Sequence, residues 1–164
     1  MVKIGVVFSV LLFATAVGLS FVHPWGDVRS ARGDGGLLEG ADAPQEVRRV
    51  IETKCADCHS NETHWPVYSR LAPGSWLMER DVSEGRAALN LSRWREMRME
   101  ERIDALSRIA AEMRTGKMPP TAYTMMHPAR RVSDEEKQTV TAWARAERRR
   151  LRASSEAQKE MSGQ

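Results

Sequence analysis

An apolar run, Ile4 to Val22, dominates the N-terminal part of the chain and follows Lys3. A helix needs about 20 mainly apolar residues to cross the hydrocarbon core of a bilayer, so this run predicts a membrane-spanning helix. A cleaved signal peptide is the alternative, because Ala14-Thr15-Ala16 has the small residues of a cleavage site. The run continues past that site. We therefore predict an uncleaved anchor over residues 1–22, with the remaining chain exported to the side opposite Lys3.

A change of composition separates this segment from the rest of the chain. Residues 23–43 contain several glycines and few large apolar residues, which is typical of a flexible linker. From Pro44 onward, apolar residues recur at helical spacing, and no alternating strand pattern competes with them. The predicted helices cover residues 44–54, 74–89 and 92–116, and a last helix starts at 133.

Local signals set the ends of these helices. Ser133 and Glu136 form a capping box at the start of the last helix, and Gly116 is a stop signal for the helix before it. Residues 117–131 hold three prolines and are predicted to be irregular. We therefore predict an all-α domain over residues 44–152, followed by a polar, disordered tail over residues 153–164.

The charge of the chain changes this picture little. The formal net charge is +3, and the basic residues near the C-terminus are flanked by Glu147 and Glu156. This pattern predicts a solvated helix end, with docking to an acidic partner or to anionic lipid as the alternative. No nucleic-acid-binding motif is present, so the sequence predicts no nucleic-acid partner.

The chemistry is concentrated in Cys55-Ala56-Asp57-Cys58-His59, which contains both cysteines of the chain. This spacing is the signature of covalent haem attachment. Two thiols add to the two vinyl groups on one porphyrin edge, and the following His59 can then bind the iron. A redox dithiol is disfavoured because no βαβ pattern surrounds the motif. A zinc site is also disfavoured, because such sites usually carry a second tight pair of ligands.

A second axial ligand of the iron is predicted at Met118. It lies in Lys117-Met118-Pro119-Pro120, where two prolines stiffen the loop that would present the thioether. The alternative is that Met118 is a core residue at a helix end. Met125, Met126 and His127 are the other candidates for this ligand, whereas His64 lies too near the attachment site to reach the opposite face of the iron easily.

Longer motifs resemble the haem-binding domain family of bacterial cytochromes. They cover residues 44–147 and include Cys58-His59-Ser60-Asn61-Glu62-Thr63, Trp65-Pro66, Ser75-Trp76-Leu77, Glu84-Gly85-Arg86 and Lys117-Met118-Pro119-Pro120. The resemblance implies a cytochrome c-like helical domain around one covalent haem c, preceded by a membrane segment. Leu91 stands where members of the family commonly have phenylalanine.

Several residues within these motifs are candidates to contact the cofactor. Trp65, Trp76 and Trp94 are large apolar plates suited to line a porphyrin, and ordinary core packing is the alternative. Arg86 and Asn90 are four residues apart on one helix face and are predicted to hydrogen-bond a haem propionate. The alternative for Arg86 is an exposed ion pair with a neighbouring acidic residue.

These features predict an electron carrier rather than an enzyme, since histidine and methionine ligands leave no free iron position. The expected location is a bacterial inner membrane, crossed once, with the haem domain in the periplasm and redox proteins of unknown identity as partners. The alternative is a haem-based ligand sensor or a small redox enzyme subunit in which the sixth iron position is labile.

Overall fold

The computed structural model describes residues 2–29 and 36–162, and over these residues the chain is helical without strands. The predicted all-α class is therefore confirmed for the described part. Short 3₁₀ turns connect some of the helices. The α-helices are α1 (Val2–Leu19), α2 (Gln45–Lys54), α3 (Ala56–His59), α4 (Gly74–Ala88), α5 (Met99–Thr115), α6 (Thr121–Met126) and α7 (Asp134–Ser162).

The hydrophobic core lies where α5 packs along α7 and where α2 closes against α7. Leu106 of α5 and Ala144 of α7 are fully buried, and Val50 of α2 is nearly so. Trp94 belongs to the same core, with 1% of its surface exposed. An apolar stripe on each helix thus faces its partners, as the helical spacing predicts.

Helix ends follow the local signals in most places. The Ser133 and Glu136 capping box forms, with Ser133 N donating to Glu136 Oε2 at 2.8 Å and Glu136 N donating to Ser133 Oγ at 3.1 Å. Gly116 ends α5 in the left-handed conformation, with φ of 67°. The predicted helix over residues 92–116 is divided, because Arg93 has non-helical backbone angles and a 3₁₀ turn, Leu91–Glu96, precedes α5.

Two segments that were predicted to lack regular structure contain helix. The predicted irregular segment contains α6 and a 3₁₀ turn, Pro128–Arg130. Helix α7 continues through the predicted disordered tail as far as Ser162. Alanine, glutamate, glutamine, lysine and methionine make up most of residues 153–162, and these residues favour helix even where no core supports them.

The segment after α1 packs against the helical domain instead of forming a free linker in the part that the structure describes. Ser20 Oγ accepts a hydrogen bond from Ala72 N at 2.8 Å. The side chains of His23 and Arg29 bind the fully buried carboxylate of Glu79, at 3.0 Å and 3.3 Å. Leu38 is also fully buried, in the core. The glycine-rich composition does not predict these contacts, because it indicates backbone freedom and carries no information on individual polar partners.

Helix α1 exposes most of its apolar side chains, among them Ile4, Phe8 and Phe13. Within residues 2–29 and 36–162, no helix combines the length and the apolar character that a membrane span requires. The predicted membrane anchor is not confirmed and stays a prediction.

Candidate functional site

The two cysteines and His59 lie on one turn of the backbone at the junction of α2 and α3. Cys55 ends α2, with its N–H donating to Ile51 O at 2.9 Å. The N–H groups of Cys58 and His59 then both donate to the carbonyl of Cys55, at 3.2 Å and 3.0 Å. One carbonyl therefore holds the second cysteine and the histidine in register with the first cysteine.

The imidazole of His59 is oriented by a backbone carbonyl from another part of the chain. His59 Nδ1 lies 2.9 Å from Leu89 O, just after the end of α4. A carbonyl oxygen only accepts hydrogen bonds, so Nδ1 carries the proton and Nε2 keeps its lone pair. A carbonyl that holds one ring nitrogen in this way fixes the orientation of metal-binding histidines, and here it leaves Nε2 as the nitrogen available to a metal.

Helix α4 approaches this turn so closely that only glycine fits at the contact. A Cβ atom on Gly85 would lie 2.5 Å from Cys58 O and 3.0 Å from Cys58 Cβ. The backbone of Gly85 is helical, a conformation that any residue can adopt. Glycine is required here because the two backbones lie so close together. The contact places α4 against the second cysteine and positions Leu89, one turn further on, beside His59.

Two adjacent cavities open onto the cysteines and the histidine, and their walls are mainly apolar. They have volumes of about 250 Å³ and 160 Å³. Both are lined by Cys55, His59, Ala88 and Met118. The larger is also lined by Cys58, Gly85, Pro119, Pro120, Tyr123 and the charged residues Lys54, Asp57, Asp81 and Glu84. Apolar residues, among them Ile51, Leu91, Ile109 and Val140, line most of the smaller cavity.

Met118 is the methionine that the fold brings to both cavities. It lies two residues beyond the end of α5 and is 37% exposed. Met113 lines the smaller cavity only and is buried in the core. Met125 and Met126 are exposed and line neither cavity. The predicted ligand therefore shares a space with His59, and the alternatives Met125 and Met126 do not.

The two candidate histidine ligands also lie outside the cavities. His127 is bound through Nε2 to Tyr68 OH at 2.7 Å and stacks on Tyr123 with ring centroids 4.6 Å apart. His64 lies in the loop after α3, where its backbone N–H donates to Asp57 Oδ1 at 3.1 Å. Neither side chain lines the space that Met118 and His59 share.

Burial favours the neutral form of both thiols. Burial raises the pKa of Cys55 to about 12. Burial, supported by the charges of Asp81 and Asp57, raises the pKa of Cys58 to about 11. A redox-active dithiol works through a lowered thiol pKa, and zinc binds thiolates. The raised pKa values therefore argue against both a redox dithiol and a zinc site. Within the described ranges, no group of three or more metal-binding side chains occurs.

A network of polar contacts ties the methionine side of the cavity to the cysteine motif. Tyr123 OH donates to Asp57 Oδ2 at 2.6 Å, and Arg130 forms an ion pair with the same oxygen at 3.1 Å. Burial and this hydrogen bond raise the pKa of Tyr123. Burial raises the pKa of Tyr68 as well, helped by the charge of Asp57. The segment that follows Met118 is thereby fastened to the residue between the two cysteines.

The three tryptophans that were predicted to line the cofactor lie elsewhere. Trp94 packs in the hydrophobic core, which was the alternative to lining the porphyrin. The ring of Trp65 stacks under the guanidinium of Arg29, 4.2 Å from the ring centroid, and Trp76 Nε1 donates to Val22 O at 2.8 Å. None of the three lines either cavity. Their size made them candidates, but each is already used by the core or by the segment after α1.

Arg86 and Asn90 do not line these cavities either, and they order the loop after His59. Arg86 donates from Nε to Ser60 O at 2.7 Å, from Nη1 to Val28 O at 2.6 Å and from Nη2 to Thr63 Oγ1 at 3.1 Å. Asn90 donates to Asn61 Oδ1 at 2.8 Å and accepts from Ser92 N. All three guanidinium nitrogens thus have partners within the protein, and the predicted propionate contact stays a prediction.

Sequence reasoning missed the residues that act through their backbone. Leu89 orients His59 through its carbonyl oxygen, and Gly85 allows α4 to reach Cys58. The Glu84-Gly85-Arg86 motif was a signal for Gly85, since a glycine inside a helix that is otherwise regular indicates close packing. No sequence signal points to Leu89 O, because any residue supplies a carbonyl.

Comparison with known proteins agrees with the geometry of this site. Residues 14–146 match the sequence model of a family described as a haem-binding domain. This range includes the motif region at residues 44–147, apart from its last residue, and starts inside α1. The segment that packs against α4 is therefore part of the match.

A second comparison links the chain to a larger redox protein. It is similar to "Cytochrome c peroxidase Ccp" of Escherichia coli (strain K12), with 31% identity over 123 residues, or 71% of this chain. The matched residues make up 26% of the peroxidase, so the chain spans about a quarter of that protein's length. No solved structure matches the chain.

Proposed function

The chain belongs to the haem-binding domain family, and from this we propose that it is a c-type cytochrome that carries electrons through one covalently attached haem. One observation carries the proposal. His59, with Nδ1 bound to Leu89 O and Nε2 free to bind iron, lines an apolar cavity together with Cys55, Cys58 and Met118.

Each of these residues has a distinct task in the proposal. Cys55 and Cys58 would hold the porphyrin edge, and His59 and Met118 would supply a nitrogen and a sulfur ligand to the iron. The apolar walls keep water away from the porphyrin, which helps to maintain a high potential. A bound haem supplies reversible one-electron chemistry at its iron. If both residues bind the iron, no iron position is left for a substrate, and the chain would serve as an electron carrier rather than as an enzyme.

The attachment is tested on the full chain, produced in an exporting host that has haem-attachment machinery. We expect an intact mass that includes one haem, and haem that stays with the protein during acid–acetone extraction. The variant Cys58→Ala should retain at most one thioether bond. A mass without haem would contradict the proposal, and so would complete extraction of haem from the wild-type chain.

The electron-carrier role is tested by the ferrous spectrum in the presence of carbon monoxide. Two protein ligands predict a six-coordinate low-spin spectrum that carbon monoxide leaves unchanged. A spectrum that changes at once would show that the sixth position is accessible.

That second outcome is the one predicted by the alternative function, a ligand sensor or redox enzyme subunit with a labile sixth ligand. Two observations favour keeping it. Met118 is partly exposed, and part of a cytochrome c peroxidase resembles the chain. Reduction of hydrogen peroxide by the purified chain, with a turnover that rises in Met118→Ala, would support this alternative.

We also propose that α1 attaches the domain to a bacterial inner membrane, with the haem on the periplasmic side and redox proteins as partners. The exposed apolar side chains of α1 support the attachment, and Lys3 at its start supports the orientation. Membrane fractionation and sequencing of the mature N-terminus test both. A soluble protein that begins near Val17 would indicate a cleaved signal peptide instead.

A further inference from the structure

An open cleft lies beside the smaller cavity, and Arg108 lines both. The cleft has a volume of about 370 Å³ and shares Ala88, Leu89 and Arg108 with the cavity. Arg108 is exposed and belongs to α5. Its guanidinium therefore lies where the interior space near His59 opens towards solvent.

The three arginines of this cleft differ in how many of their donors are used. Arg86 has a partner for each of its three side-chain nitrogens, and Arg93 pairs with Glu96 at 2.8 Å. Arg108 donates one hydrogen bond, from Nη1 to Ala88 O at 2.9 Å, and has no ion pair among the described residues. A guanidinium has five N–H donors, so most donors of Arg108 are available to an anion.

The cleft and the larger cavity both carry acidic residues but differ in their cations, since Glu96, Glu101 and Asp104 line the cleft together with three arginines. Asp57, Asp81 and Glu84 line the larger cavity on the side of the cysteines. Lys54 lines that cavity too, but its ammonium group donates to Ala129 O at 2.7 Å and lies 3.9 Å from Glu136. A carboxylate on this side would thus meet three acidic residues and one cation that already has partners.

In a haem attached to the two cysteines, the propionate carboxylates lie on the side away from those cysteines. The two vinyl groups that react with cysteines lie on one half of the porphyrin, and the two propionates lie on the other half. A haem joined to Cys55 and Cys58 would therefore direct its propionates away from the cysteine side, where the acidic residues outnumber the cations. From the cavity shapes and the free donors, we infer that Arg108 binds a haem propionate where the smaller cavity meets the cleft. This inference rests on the proposed function, since it requires the attached haem.

Glu112 explains why a cation is needed at this position. It follows Arg108 by one turn of α5 and lines the smaller cavity, and its Oε2 atom is buried without a hydrogen-bond partner among the described residues. The negative charge of Glu112 opposes a propionate nearby. Arg108 offsets that repulsion and can form two parallel N–H···O bonds to one carboxylate.

Loss of this contact has a defined effect on the iron. A propionate without its cation leaves more negative charge near the haem, which favours the ferric state. At a fixed solution potential, Arg108→Gln should therefore raise the ratio of oxidised to reduced haem severalfold. Arg108→Lys should keep that ratio near the wild-type value, because lysine retains the positive charge. Lysine lacks the planar pair of N–H donors, so the two parallel hydrogen bonds to the propionate should be lost in this variant.

The experiment compares the haem-loaded full chain with Arg108→Gln, Arg108→Lys and the matched control Arg93→Gln, which removes a cation from the same cleft. Intact mass first shows that each protein carries covalent haem. Redox titration then gives the oxidised-to-reduced ratio, and resonance Raman spectroscopy gives the bending band of the propionates. We expect the band to shift in both Arg108 variants and the ratio to change in Arg108→Gln alone.

The outcomes separate this inference from the function on which it rests. Wild-type protein without covalent haem would overturn the proposed function, and this inference with it. Loaded Arg108→Gln with an unchanged Raman band and ratio would overturn the inference alone, and so would an equal change in Arg93→Gln. If Arg108→Gln does not accumulate, Arg108→Lys decides, because an unshifted band in that variant would exclude a two-point contact.

Discussion

Replacing Gly85 by alanine tests how strictly the approach of α4 controls the turn that carries Cys55, Cys58 and His59. The added Cβ would lie 2.5 Å from Cys58 O, a backbone atom that cannot rotate away. Alanine favours a helix by about 1 kcal/mol over glycine, whereas overpacking of this kind costs about 1–3 kcal/mol. We therefore expect a net loss of up to about 2 kcal/mol in the free energy of unfolding. Cys58 must also move, so the yield of covalent haem should fall.

Thermal unfolding and the ratio of haem to protein absorbance measure the two effects. The unfolding temperature should fall by a few degrees. Gly18→Ala is the control for helix propensity, since nothing lies within 4 Å of the Cβ position at this helical glycine. Gly74→Ala is the control for a clash remote from the cysteines, because its Cβ would contact Tyr68 O. It should lower stability and leave the haem yield of the folded protein unchanged. A Gly85→Ala protein with wild-type stability and haem content would refute the reasoning.

Three further predictions concern the distal ligand, the tyrosines and the core. Met118→Ala should open the iron to carbon monoxide and lower the reduction potential, while Met125→Ala leaves both unchanged. The pKa of Tyr68 and of Tyr123 is raised, so NMR titration should show neither ionising at the usual pH of about 10. Their contribution to stability is complete below about pH 10 and is lost as the pH rises through the folded-state values. Trp94→Ala should lower the free energy of unfolding, measured with denaturant, by about 3–5 kcal/mol, because Trp94 is almost completely buried, with 1% of its surface exposed.

A specific result would contradict each of these three predictions. An unchanged spectrum and potential in Met118→Ala would place the ligand elsewhere, with Met113 as the next candidate because it lines the smaller cavity. A tyrosine that ionises near pH 10 in the folded protein would contradict its burial. A Trp94→Ala protein that keeps its stability but shifts its haem spectrum would restore Trp94 as a cofactor contact.

Local signals predicted much of the fold because they act over one or two helical turns. The Ser133 capping box and the stop at Gly116 both form as predicted. The attachment motif is equally local, since Cys55, Cys58 and His59 lie on one turn held by a single carbonyl. Such features depend on residues that are neighbours in sequence, so spacing alone is sufficient to find them.

The predictions that differ from the structure concern partners that are distant in sequence. Arg86 and Asn90 were predicted to share one helix face, but α4 ends at Ala88 and Asn90 lies beyond it. Helical spacing also cannot tell whether their partners are propionates or the loop after His59. Likewise, glycine-rich composition predicted a linker, whereas His23 and Arg29 converge on the buried carboxylate of Glu79. Competition among polar partners is decided by three-dimensional proximity, which periodicity does not contain.

Contacts between residues that are distant in sequence also hold the site together. His59 follows α2, and Met118 follows α5, and both helices pack against α7. Val140 of α7 lines the smaller cavity between them and belongs to the hydrophobic core. The separation of the two proposed iron ligands is therefore set by core packing and by the contact between α4 and Cys58. Because interiors are densely packed, a shift of α5 against α7 would change that separation. The bond from the iron to Met118 should thus depend on core residues that never touch the cofactor.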